Sequence, residues 1–184
     1  FPFQSQLYKR TSGGEVSLRS DFTFGRLCTI AADGKGNILV SDSHEDGSLY
    51  RVGKEGAVEL IAGNLKEQNP KNPPLEEKRF NLFYGITRNE TDVYLANSGS
   101  RRILSVKPDG SFSEYFTSEP PWYPAGIYFD QDQVLILEWG FTKTNIGPRI
   151  LKKNEEGNFD EIYNHETKVV RFSRLESPIK NNHW

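Results

Sequence analysis

Cysteine occurs once in this chain, at Cys28, and methionine not at all. A single thiol cannot close an intramolecular disulfide or furnish a cysteine zinc cluster, so the fold rests on packing. Histidine is almost as scarce. His44, His165 and His183 lack the i,i+4 spacing that brings two imidazoles onto one metal, and they offer acid–base chemistry little support. Apolar runs such as Val134–Leu137 fall far short of the ~18–20 residues of a membrane-spanning helix, which argues against membrane insertion. Neither charge predominates: 23 Lys and Arg face 25 Asp and Glu, so no global positive field draws the chain to nucleic acid. The patterns Gly-x-Ser-x-Gly and Gly-x-Gly-x-x-Gly and the P-loop are missing, and with them the common serine-hydrolase and nucleotide sites.

What is present suits short strands. The 184 residues are 35% hydrophobic, enough for one domain with a core. Sixteen Gly and ten Pro separate brief aromatic and β-branched runs, a pattern of many turns and strands that excludes a helix bundle. The first residue is Phe1, as expected of a processed mature chain or of a fragment. Asn89-Glu90-Thr91 is an N-glycosylation sequon on an expected hairpin turn. Together these predict a secreted or extracytoplasmic protein with Asn89 as its glycosylation site.

The chain repeats itself. Ile38-Leu-Val-Ser-Asp-Ser43 aligns with Val93-Tyr-Leu-Ala-Asn-Ser98 and with Val134-Leu-Ile-Leu-Glu-Trp139. A short strand precedes each run (Cys28–Asp33, Tyr84–Asn89, Ala125–Asp130), and a third follows it (Leu49–Val52, Ile103–Val106, Ile150–Lys153). A glycine turn and a fourth strand complete each unit, and the turn residues Gly56, Gly110 and Gly157 lie 54 and 47 residues apart. Four-stranded antiparallel units at this period are β-propeller blades. The amino terminus repeats only a third and fourth strand, Leu7–Arg10 and Glu15–Ser20, so about three and a half blades are visible. The expected organisation is a half blade over 1–24, blades over about 25–80, 81–121 and 122–164, and a tail over 165–184. The ring is then a four-bladed one closed by the tail, through the strand-like Lys168–Ser173, or part of a larger, six-bladed one, or a half-ring that assembles with a partner through open blade edges. The weak match of the tail to the missing half blade favours the second.

Residues 61–116 carry the most specific pattern: Ile61-Ala-Gly63, a Pro-rich loop, Leu75–Asn81, Tyr84-Gly-Ile86, Val93–Gly99, Arg102-Ile103 and Pro108-Asp-Gly110. This stretch resembles an NHL-repeat blade, and the resemblance extends in diverged form over about 27–164. The third unit, with Pro124-Ala-Gly-Ile127, Leu137-Glu138 and Arg149–Lys152, is similar to blades of the strictosidine-synthase and gluconolactonase group of six-bladed propellers, which contains enzymes. That resemblance implies an Asn or Asp metal ligand just before the glycine that opens a blade's first strand. Here those positions hold Tyr84 and Ala125, with Cys28 in the first unit, and none is a hard oxygen ligand.

In propellers the loops leaving the second and fourth strands gather on one face. Here they hold Phe80, Phe83, Tyr84, Trp122, Tyr123, Trp139 and Phe141. Stiff aromatics with polar edges suit a protein, peptide or glycan ligand, although core aromatics that plug the gaps between blades give the same pattern. The strand-end residues Asp42, Asn97 and Glu138 are the candidate ligands for a divalent cation such as Ca²⁺; the alternative is that they cap strand ends. Arg101 and Arg102, with Lys66, Lys71, Lys78 and Arg79, are interleaved with Glu67, Glu76 and Glu77, which opposes nucleic-acid binding. The expectation is a non-catalytic, cofactor-free recognition module using Trp122, Tyr123, Phe141, Trp139, Phe83 and Tyr84. The alternative is a metal-dependent lactonase or related hydrolase.

Overall fold

A computed structural model describes residues 5–65, 81–130, 133–141 and 146–165. Among them the regular structure is strand, apart from one 3₁₀ turn. The hairpin β1 (Tyr8–Arg10) and β2 (Val16–Leu18) is followed by three four-stranded antiparallel sheets. The first blade is β3 (Leu27–Ala32), β4 (Ile38–Asp42), β5 (Ser48–Val52) and β6 (Val58–Gly63). The second is β7 (Phe83–Arg88), β8 (Val93–Asn97), β9 (Arg102–Val106) and β10 (Phe112–Thr117), with a 3₁₀ turn at Ser98–Ser100. The third is β11 (Trp122–Asp130), β12 (Gln133–Phe141), β13 (Ile146–Lys153) and β14 (Phe159–Asn164). Each sheet follows chain order and meets its neighbour through its first strands, β3 against β7 and β7 against β11. The Lys168–Ser173 strand, Phe80 and the lysines of the Pro-rich loop lie outside the described residues.

The core lies between sheets. Leu39, Leu49, Leu65 and Phe83 join Leu95 and Leu104 between the first and second blades. Tyr94, Ala96 and Ile103 meet Ile127, Ile136 and Leu151 between the second and third. Close approach of the inner strands demands a glycine: a Cβ on Gly85 would lie 2.7 Å from Gly126 Cα. One apolar position shows where burial stops. Ile86 and Ile127 pack into these clusters, whereas the aligned Ile30 is 55% exposed, because the β1–β2 hairpin supplies only an outer pair of strands.

The third blade departs from expectation. Trp122, Tyr123, Trp139 and Phe141 are strand residues, not loop residues: Trp122 pairs with Gly140, Tyr123 with Trp139 and Phe141 with Ile146. In the first two blades an Asp or Asn side chain at the end of the second strand takes the backbone N–H groups that would extend the ladder. Glu138, one carbon longer, turns instead to Arg149, and the ladder runs on.

Candidate functional site

The second-strand ends, third-strand starts and first-strand starts gather at one end of the sheets. Asp42 is buried there and accepts from the backbone N–H groups of Gly25 and Arg26, each at 2.7 Å, and of His44 at 2.8 Å. Asn97 accepts from Leu82 N–H at 3.0 Å and donates to Asn81 Oδ1 at 2.7 Å. Glu138 is fully buried, and its Oε2 accepts from Arg149 Nε at 2.5 Å. Oε1 of Glu138 has no hydrogen-bond partner among the described residues. Each of the three thus bonds within its own blade, where it caps or pairs a strand end. Among the described residues no group of three His, Cys, Asp or Glu converges on a cation position.

The residue after each capping position links to the next blade. Ser43 Oγ accepts from Phe83 N–H at 3.5 Å and meets Cys28 Sγ at 2.7 Å. Ser98 Oγ donates to the Pro124 carbonyl. The third blade has Trp139 at this position, and it is 38% exposed.

Arginines organise the rest of this end. Arg102 begins β9, Arg149 is the fourth residue of β13, and both reach a glutamate on the fourth strand, Arg102 to Glu114 at 3.2 Å and Arg149 to Glu161 at 3.5 Å. The Arg149 guanidinium also lies over the Trp122 ring, 4.4 Å from its centroid. Trp122 packs so tightly on Gly140 that a Cβ there would lie 2.6 Å from the ring. Arg101 lies over Tyr123 at 4.5 Å and donates to its hydroxyl at 2.8 Å. Trp122 and Tyr123 are thus half-buried platforms held by guanidinium groups. Tyr84 is 59% exposed. Phe83 is not a ligand-facing aromatic: at 1% exposure it fills the seam between the first two blades, in one buried cluster with Leu39, Leu65 and Leu95. Arg102 is likewise buried and paired, which removes it from any basic patch. His44 sits on the surface beside Glu45, 3.8 Å away. Nothing is described of the Phe141 side chain.

The structure superposes on virginiamycin B lyase from Staphylococcus aureus, solved as a catalytically inactive variant with quinupristin, with TM-score 0.53 and 14% identity over 85% of this chain and 62% of that one. It superposes on a chain of a nidogen/laminin complex with TM-score 0.58 and 14% identity, over 85% of this chain and 54% of that one. The chain is a β-propeller. It spans less than two thirds of the length of either neighbour, and at this identity the likeness is one of fold alone. No family model and no curated protein matches the sequence.

The opposite end of the propeller blades carries the hairpin turns. Asn89 sits on one of them, where its Oδ1 accepts from Asp92 N–H at 2.7 Å and its Nδ2 donates to Tyr94 Oη at 3.1 Å. Asp33 sits on another and accepts from Lys35 N–H, Asn37 N–H and the Asn37 amide at 2.7–3.0 Å. Burial opposes the charge on Asp33, but these hydrogen bonds outweigh it and hold the carboxyl below the usual carboxylate range. Sequence reasoning missed the arginine–glutamate pairs, although their signal is plain in hindsight: Arg102 to Glu114 and Arg149 to Glu161 share a spacing of 12 residues.

Proposed function

We propose that this chain is a non-catalytic recognition module, with NHL-like blades, that binds a protein, peptide or glycan at the strand-end face. One observation carries the reading: Trp122 and Tyr123 are each fixed flat by a guanidinium beside the exposed Trp139. Aromatics already ordered by stacking offer contact area at small entropic cost on binding. The nidogen/laminin complex gives precedent for a propeller chain of this kind inside a protein complex. A metal-dependent hydrolase is less well supported, because Asp42 and Asn97 are already engaged at the strand ends of their own blades and Glu138 Oε2 is taken by Arg149. The test is binding to a displayed random-peptide library and to a glycan array, with wild type against the Tyr84→Ala, Trp139→Ala double variant. Loss of at least tenfold in affinity for selected ligands is expected. Unchanged affinity removes the face.

A further inference from the structure

Arg101 is the last residue before β9, and its backbone is left-handed, at φ 59° and ψ 34°. The last residue before β5 in the first blade is Gly47, at φ 79°. The two positions are built alike. Each amide donates to the carbonyl three residues earlier, Arg101 to Ser98 at 3.2 Å and Gly47 to His44 at 3.0 Å. Each carbonyl accepts from the chain leaving the fourth strand, from Ser118 and Leu65 respectively. Glycine adopts this conformation freely, whereas a residue with a Cβ is strained in it. The backbone gives no reason for arginine here, and strain retained at one position points to a use for the side chain.

That side chain is held in place by Tyr123, through the ring stack and the 2.8 Å hydrogen bond to the hydroxyl. The two neighbouring arginines are neutralised, Arg102 by Glu114 and Arg149 by Glu138 and Glu161. Arg101 forms no ion pair with any described residue.

We propose that Arg101 reads an anion on this face, and that the ligand is an acidic peptide segment of a partner protein whose Asp or Glu carboxylate takes the guanidinium edge left open by Tyr123. The proposal rests on the recognition reading above and narrows it. A guanidinium already fixed by stacking loses little freedom on binding and presents a two-pronged donor set that matches a carboxylate. A nucleic acid fits less well, since neutralised neighbours leave one fork rather than a charged track. A neutral glycan presents no group that needs this charge.

The experiment selects a displayed random-peptide library on the wild-type protein, then measures Kd for the selected peptides against wild type, Arg101→Gly, Arg101→Lys and the Tyr84→Ala, Trp139→Ala double variant. Arg101→Gly keeps the local backbone conformation while removing the guanidinium, so a thermal midpoint separates lost binding from lost fold. Selected peptides are expected to be rich in Asp and Glu. Arg101→Gly should weaken them at least tenfold and Arg101→Lys severalfold, with the midpoint unchanged or raised. Replacing the peptide's acid by its amide should erase the difference between wild type and Arg101→Gly. Peptides that lose affinity with the double variant, yet lack acids and ignore Arg101→Gly, overturn the Arg101 proposal and leave the recognition reading standing. Peptides that ignore every variant, or a selection that yields none, overturn both.

Discussion

Replacing Gly85 by alanine tests the seam where the inner strands of the second and third blades meet. The new Cβ would lie 2.7 Å from Gly126 Cα and 2.8 Å from the Ala125 carbonyl oxygen. Both are backbone atoms of β11 and cannot rotate aside. To regain the ~3.5–4.0 Å of ordinary carbon contact the strands must part, and the parting loosens Ala96, which pairs with Gly85, and Ile127 beneath it. Overpacking of this kind costs about 1–3 kcal/mol. Gly126→Ala is the internal control on the facing strand: its Cβ would find its nearest neighbour, Leu137 Cβ, at 4.0 Å, and its φ is not positive. There the substitution should be neutral or stabilise by about 0.4–1 kcal/mol, by restricting the unfolded chain. Urea unfolding followed by tryptophan fluorescence compares the two, since Trp122 and Trp139 both lie in the third blade. Midpoints at an unchanged slope give the difference. Two variants within about 0.5 kcal/mol of each other, or Gly126→Ala as the more damaging, would refute the packing described here.

Other substitutions separate bracing from binding. Asp42→Ala strands three backbone N–H groups and should cost about 2–4 kcal/mol by chemical denaturation; a calcium-induced thermal shift that disappears with it would instead restore the cation reading. Arg149→Ala leaves the Glu138 carboxylate buried and unpaired, and should cost about 3–5 kcal/mol, with coupling above about 1 kcal/mol in a double-mutant cycle with Glu138→Ala. Asp33 has a folded pKa below its ordinary value, so its charge contributes stability that is complete above the unfolded pKa and is lost as pH falls through the folded one. The stability gap between wild type and Asp33→Ala, measured by urea titration, should therefore be widest near neutrality and shrink as the pH falls below the ordinary carboxylate range; a gap that grows on acidification contradicts the sign.

The repeat was legible because the blades carry related short signals: an apolar run ending in Asp, Asn or Glu, then a third strand and a glycine turn. Those signals placed the strands of the first two blades closely. They failed in the third for a physical reason. Glu138 occupies the aligned position but bonds Arg149, and β11 and β12 stay paired through residues that look like a loop. The candidate cation ligands were read from alignment alone, and alignment cannot show that a side chain is already engaged by its own blade. Phe83 was misplaced, since the sequence does not reveal that it is buried in one cluster with Leu39 and Leu65. The arginine stacks on Trp122 and Tyr123 join residues of different strands and leave no local signature. The left-handed backbone of Arg101 was invisible because arginine gives none of the warning that glycine gives at Gly47.

The most direct test of the recognition face uses the indole N–H resonances of the chain's three tryptophans, assigned by single Trp→Phe variants, during titration with a peptide from the displayed library. The account predicts saturable shifts of Trp122 and Trp139 while the backbone amides of Asn89, Gly110 and Gly157, at the opposite end of the blades, stay fixed. Shifts confined to those turn amides, with both indoles unmoved, would place binding on the other face and contradict it.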